Sequence, residues 1–86
     1  MCKQFNEAAE KVKTLTKKPT DDELLELYSL YKQGTIGDND TEKPSLLELK
    51  AKRKWESWKS KSGISKEDAQ QSYINYAKSL VSKYSQ

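Results

Sequence analysis

Apolar residues recur along this chain at three- and four-residue steps with charged residues between them, the period of helices buried on one side. Phe5, Ala8, Ala9, Val12 and Leu15 make the first such stripe, with Glu7, Glu10, Lys11 and Lys13 on the opposite face. Thr16-Lys17-Lys18-Pro19 breaks it. Thr20-Asp21-Asp22-Glu23 then has the spacing of a capping box, with acids where a helix N-terminus favours them, and predicts a second helix to about Lys32 or slightly beyond. Leu24, Leu27, Tyr28 and Tyr31 form its stripe and Leu25 and Leu30 flank it, so its apolar face is broader than one helix partner needs. From Gly34 to Ser45 the signals are those of a loop: two glycines, Asp38-Asn39-Asp40 and Pro44. Leu46, Leu47 and Leu49 are expected to be buried under its return. Lys52 to about Ser60 reads as a short third helix with Trp55 and Trp58 on one side, ended by Gly63. Ser65-Lys66-Glu67-Asp68 opens a fourth, with Ser65 as N-cap, along which Ala69, Tyr73, Ile74, Tyr76, Ala77, Leu80, Val81 and Tyr84 recur. With no strand pattern, the prediction is an all-α four-helix bundle with a long connection between helices 2 and 3.

The chain has 86 residues, room for one domain spanning residues 1–86 with a small core. Hydrophobic and charged residues each make up 34%, so folding depends on the placement of few apolar side chains. Phe5, Val12, Leu15, Leu27, Ile74 and Leu80 are assigned to packing, and Trp55 and Trp58 read as core residues before they read as a ligand platform.

A net charge of +3 is mild but unevenly spread: Lys50 to Lys61 holds six basic residues against Glu56 alone, and Asp21 to Glu26 holds four acids and no base. That pattern fits a local anion site better than a polyanion track. Histidine is absent and Cys2 is the single cysteine, which removes intramolecular disulfides, zinc sites of the usual spacing and His-based nucleophilic catalysis. No enzyme and no metal are expected. No apolar run approaches a membrane span and no signal-peptide core precedes the first helix, so the chain reads as soluble and cytoplasmic, without stable membrane insertion.

The chemistry concentrates in Tyr28-Ser29-Leu30-Tyr31-Lys32, answered downstream by Lys50-Ala51-Lys52-Arg53-Lys54-Trp55. Tyrosines three apart share a helix face and Lys32 follows Tyr28 by four, so rings and a cation project together. Such a surface suits a ligand with a ring and a phosphate. Periodicity alone would place Tyr28, Tyr31 and Tyr73 in the core and leave the basic run as a solvated face. Asp38, Asp40 and Glu42 alternate as in a calcium loop, but the sixth position is Lys43 and the twelfth Leu49, which excludes that site. Asn39-Asp40-Thr41 matches the glycosylation sequon and reads as coincidence. No RNP, KH or recognition-helix pattern supports nucleic-acid binding.

The run Tyr28 to Pro44, Y-S-L-Y-K-Q-G-T-I-G-D-N-D-T-E-K-P, closely resembles the signature of acyl-CoA-binding proteins, also called the diazepam-binding inhibitor family. K-x-K-x-K-W-x-x-W at Lys50 to Trp58 and S-K-E-D-A at Ser65 to Ala69 agree in order and spacing, and the resemblance covers essentially the whole chain. Gly34 departs from a usual alanine, Ser45 from a common glycine and Ser57 from a common alanine, and Arg53 adds charge beside the lysines. The resemblance implies a monomeric intracellular carrier of medium- and long-chain acyl-CoA thioesters, with no catalysis and no cofactor, that hands them to acyl-CoA-using enzymes. It implies ligand contacts from Lys13, Tyr28, Tyr31, Lys32, Lys50, Lys54 and Tyr73, with Ser29 and Leu30 included from the same run. The lysines and Tyr28 would meet ribose and phosphates, and Tyr31 the adenine. The breadth of helix 2 adds Leu25 and Leu24 as contacts for the acyl tail. The alternative is a protein-interaction or signalling-peptide bundle, which some animal members of the family resemble.

Overall fold

The computed structural model describes residues 3–84, and Cys2 lies outside them. The described residues form four helices and no strand: α1 (Lys3–Lys13), α2 (Asp21–Thr35), α3 (Leu49–Lys59) and α4 (Lys66–Tyr84). The capping box forms as the spacing predicts. The Thr20 hydroxyl accepts from the Glu23 N–H at 3.2 Å, and the Glu23 carboxylate accepts from the Thr20 N–H at 2.9 Å. At α4 the Ser65 hydroxyl accepts from the Asp68 N–H at 3.1 Å. The second helix runs slightly beyond Lys32, through Gly34 to Thr35, and one boundary differs from expectation: α3 starts at Leu49 instead of Lys52.

The core lies where α4 meets α1 and α2. Phe5 and Ala8, Leu27 and Leu30, and Tyr73, Ile74, Ala77 and Leu80 form one buried cluster, with Ala9, Val12, Tyr76 and Tyr84 packed partly against it. Of the six residues assigned to packing, Val12 and Leu15 are only half-buried, since both sit near the open end of α1. Phe5 stacks on Tyr31 at 5.3 Å between ring centres and meets Tyr73 edge-on at 5.0 Å, geometries that rings prefer. Among the helices α3 packs against α2 alone.

What holds α3 is the connection before it. Trp58 donates its indole N–H to the Gly37 carbonyl at 2.8 Å, and Trp55 donates to the Thr41 carbonyl at 3.0 Å. Asn39, 1% exposed, donates to the Trp55 carbonyl at 3.2 Å, and its side-chain oxygen accepts from the N–H and hydroxyl of Thr41. A residue so enclosed has no room for a glycan. Gln33 donates to Asp38 Oδ1 and to the Ile64 carbonyl, each at 2.8 Å, and Asp38 Oδ1 also accepts from the Gly63 N–H at 2.9 Å. The Gly63 N–H, with Gln33 second, holds the Asp38 carboxyl below its ordinary range. Gly37 and Gly63 have φ of 101° and 91°, a region side chains rarely tolerate.

Two expectations are corrected here. Leu46, Leu47 and Leu49 are not buried: they are 72%, 93% and 66% exposed. The return of the loop is closed by polar staples from Trp55, Trp58 and Asn39, and the turn at 46–47 is closed on Ser45, whose carbonyl accepts from the Glu48 N–H and whose hydroxyl accepts from the Leu47 N–H. No apolar partner remains for the leucines. The core expectation for the tryptophans holds for Trp58, which is buried, and not for Trp55, and neither joins the central cluster. Trp58 is buried and Trp55 half-buried between α3 and the loop, because an indole N–H must find an acceptor and the loop carbonyls provide it.

Candidate ligand-binding site

Tyr28 stands at the junction of α2 and α3. The Lys32 ammonium, one helical turn on, lies 5.8 Å from the centre of its ring, and the Lys54 ammonium, from α3, lies 5.5 Å from it. Lys32 also sits 5.7 Å from the Trp58 ring. Two cations share one aromatic surface with no carboxylate paired to either among the salt bridges of the described residues. Their mutual repulsion is partly offset by the ring faces, and an anion between them would relieve it further.

Two grooves open from this point and share Leu24 and Tyr28. One, about 330 Å³, runs between α2 and α3 and is lined by Lys18, Asp21, Leu24, Leu25, Tyr28, Lys50, Arg53 and Lys54. The other, about 510 Å³, runs toward α1 and includes Val12, Lys13, Leu24, Leu27, Tyr28, Tyr31 and Tyr73. The predicted residues thus divide by groove: Leu25, Lys50 and Lys54 on one side, Lys13, Tyr31 and Tyr73 on the other, Leu24 and Tyr28 in both. Lys32 adjoins through Tyr28. Lys13 makes only an exposed pair with Glu10 at 3.6 Å, a contact of little strength in water. A third groove, between α1 and α4, contains none of these residues.

Tyr31 is 37% exposed, and with Phe5 stacked on it and Tyr73 edge-on at 5.9 Å its ring is fixed. Tyr73 is buried, and burial first, then Tyr31, raises its phenol above its ordinary value. It is therefore a neutral hydrogen-bonding group. Ser29 and Leu30 do not join the site through their side chains. Ser29 is fully buried with its hydroxyl donated to the Glu26 carbonyl at 2.8 Å, and Leu30 belongs to the core. Helical geometry dictates this: residues between Tyr28 and Tyr31 point to the other side of α2.

The reading of the residues missed Lys18, Asp21 and the groove position of Arg53. Arg53 follows Lys50 by three and could have been placed beside it by helical spacing. Lys18 precedes α2 in an irregular segment, where no period applies.

The comparisons with known proteins decide what this arrangement belongs to. The chain matches the family described as Acyl CoA binding protein over residues 2–77. It belongs to the acyl-CoA-binding protein family. An acyl-CoA-binding protein homolog of Drosophila melanogaster is 62% identical over 81 residues, covering 94% of each chain. An acyl-CoA-binding protein homolog 1 of Caenorhabditis elegans is 50% identical over 84 residues, covering 98% of each. Among solved structures, acyl-CoA-binding protein 2 of Oryza sativa superposes with a TM-score of 0.92 at 42% identity, covering 96% of this chain and 90% of the other. The yeast acyl coenzyme A binding protein gives 0.78 at 49% identity over the full length of both. The all-α fold is that of this family, whose members are binding proteins and not enzymes. No described helix is long and apolar enough to cross a membrane.

Proposed function

We propose that residues 1–86 act as one domain that binds medium- and long-chain fatty acyl-CoA thioesters, and that the protein is a monomeric cytoplasmic carrier and pool former. The observation that carries this is the placement of Lys32 and Lys54 at one tyrosine ring, at the shared end of two partly apolar grooves. Lys32 and Lys54 act as point charges on the phosphates, with Lys13 and Lys50 completing a positive rim on either side. Tyr28 adds a hydroxyl whose hydrogen bond is directional. The open face of Tyr31 stacks the adenine, worth on the order of 1 to 3 kcal/mol. The tail lies along Leu24 and Leu25, at roughly 0.8 kcal/mol per methylene removed from water.

Affinity therefore rises with acyl length until the apolar wall is covered. The thioester leaves as it came, for transfer to acyl-CoA-using enzymes. The test is calorimetric titration of delipidated protein with palmitoyl-CoA, beside free coenzyme A and palmitate. Tight 1:1 binding of the thioester with both fragments weaker is expected. A helical protein that ignores the thioester would overturn the reading and leave the interaction bundle.

A further inference from the structure

Lys32 faces two rings. Its ammonium lies 5.8 Å from the centre of Tyr28, on its own helix, and 5.7 Å from the centre of Trp58, on α3, both within the range over which a ring face attracts a cation. Tyr28 and Lys32 are one turn apart on α2, and Lys54 and Trp58 one turn apart on α3, so each helix sets an aromatic ring against the other's cation. The two rings are held differently. Tyr28 is half-buried, whereas Trp58 is 6% exposed and donates its indole N–H to the Gly37 carbonyl at 2.8 Å.

The anchor of that indole leads back to Lys32. The Gly37 N–H donates to the Lys32 carbonyl at 3.3 Å, beside the Ile36 N–H at 2.8 Å, so the turn that receives Trp58 is closed on the residue whose ammonium Trp58 faces. Backbone, turn, indole and ammonium make one circuit. A lysine side chain free to rotate loses rotamer freedom when it grips a phosphate, while one already held at two ring faces presents its charge in place. Ring faces hold an ammonium and leave its charge available, where a carboxylate would cancel it, and no salt bridge among the described residues takes Lys32. Trp58 lines neither groove of the site, so what it does for a ligand passes through Lys32.

We infer that Trp58 is a positioning residue for phosphate recognition: it parks the Lys32 ammonium at the Tyr28 ring before the ligand arrives, and so raises affinity for the coenzyme A end without touching it. The inference deepens the acyl-CoA reading and rests on it. It also gives the connection between α2 and α3 a second role, since the Gly37 carbonyl that staples α3 is what aims the indole at Lys32.

The test is a double-mutant cycle in the full chain, read by calorimetric titration with palmitoyl-CoA and with free coenzyme A. Trp58→Leu should weaken both ligands by about two- to fivefold, the worth of one partly exposed contact between a cation and a ring. In Lys32→Ala protein the same substitution should change neither, because the group it acts through is gone. Trp58→Phe, which keeps a ring face and gives up the indole N–H, should recover most of the affinity while its urea midpoint falls with the lost staple. Circular dichroism shows that each variant is helical. A further readout needs no substitution and decides the matter should Trp58→Leu not fold. In wild-type protein without ligand, shielding by two ring faces should move the Lys32 ε-methylene proton resonances upfield of those of an exposed lysine such as Lys17. Equal losses in the two backgrounds, a Trp58→Phe protein as weak as Trp58→Leu, or Lys32 resonances at the position of an exposed lysine would each overturn the inference alone. Wild-type protein that binds no palmitoyl-CoA would overturn the ligand reading and this inference with it.

Discussion

The Lys54 ammonium is held 5.5 Å from the centre of the Tyr28 ring, across the interface between α3 and α2. The same ring receives Lys32 from its own helix, so the two cations answer to one aromatic residue. Lys32→Ala or Lys54→Ala should each weaken palmitoyl-CoA binding by about 1.5 to 3 kcal/mol, roughly ten- to hundredfold. Because they share Tyr28 and one ligand, the double variant should fall short of or exceed the sum. Calorimetry of the cycle, with circular dichroism to show intact helices, checks this; unchanged affinity in both single variants would remove these lysines from the site.

Arg53 lines the groove beside Leu24 and Leu25, and its three methylenes can lie along a tail while the guanidinium stays wet. Arg53→Ala should therefore weaken long-chain thioesters more than free coenzyme A. Each tail methylene returned to water costs about 0.8 kcal/mol, roughly fourfold in affinity. A series of acyl lengths titrated against both proteins reads the difference, and parallel curves would deny Arg53 a part in tail recognition.

Gln33 is 1% exposed, and its amide ties the end of α2 to Asp38 and Ile64. Gln33→Ala should cost about 0.5 to 1.5 kcal/mol for each of the two hydrogen bonds its amide donates, read as a lower urea midpoint. Gln33→Glu should be worse at neutral pH, since a buried carboxylate would face Asp38, and should recover as acid protonates it. A Gln33→Glu protein as stable as wild type at neutral pH would show that the amide protons are not what the loop needs.

Glu23 joins the start of α2 to the end of α4. It pairs with Lys83 at 2.8 Å and accepts from the Tyr84 hydroxyl as well as from the Thr20 N–H. Lys83 first, then Tyr84 and Thr20, lower its pKa from 4.5 to about 2. A depressed carboxylate stabilises the fold fully above its unfolded value and loses that contribution as pH falls through the folded one. Stability should thus decline between about pH 4.5 and 2, and Glu23→Gln should be less stable than wild type at neutral pH, the two curves converging in acid. Denaturation midpoints across that range are the check; a constant gap would contradict the linkage.

Much of the fold is legible in the sequence because its signals are local. The Thr20–Glu23 box, the α4 start at Ser65 and the stripes of α1 and α4 depend on residues three or four apart, the scale on which helices are decided. The burial expected of the loop leucines fails for the opposite reason. Whether Leu46 is covered depends on where Trp55, Trp58 and Asn39 send the chain, and those contacts span 14 to 21 positions for the two indoles. The site is legible in part. Tyr28, Tyr31 and Lys32 follow from spacing and Lys50 and Lys54 from charge, while their convergence follows only from packing α3 on α2. Ser29 and Leu30 show the limit of carrying a whole run into a site, since a helix turns their side chains to the core. Gly34 has buried surroundings: a Cβ there would meet the Gln70 side chain at 3.0 Å and Phe5 at 3.5 Å, so the family's usual alanine fits only where the Gln70 side chain gives way by a few tenths of an ångström.

Among the helices, α3 has its close backbone neighbour in α2 alone, and it carries Lys50 and Lys54 of the proposed rim. Its position is set by indole and amide links to the preceding connection, outside the central apolar cluster. A slight swing of α3 would part Lys54 from Tyr28 and leave the aromatic trio of Phe5, Tyr31 and Tyr73 untouched. The contacts that place Lys54 beside Tyr28 and the contacts that hold the buried cluster together are in this way two separate sets, and a change in the loop can reach the first while leaving the second as it was.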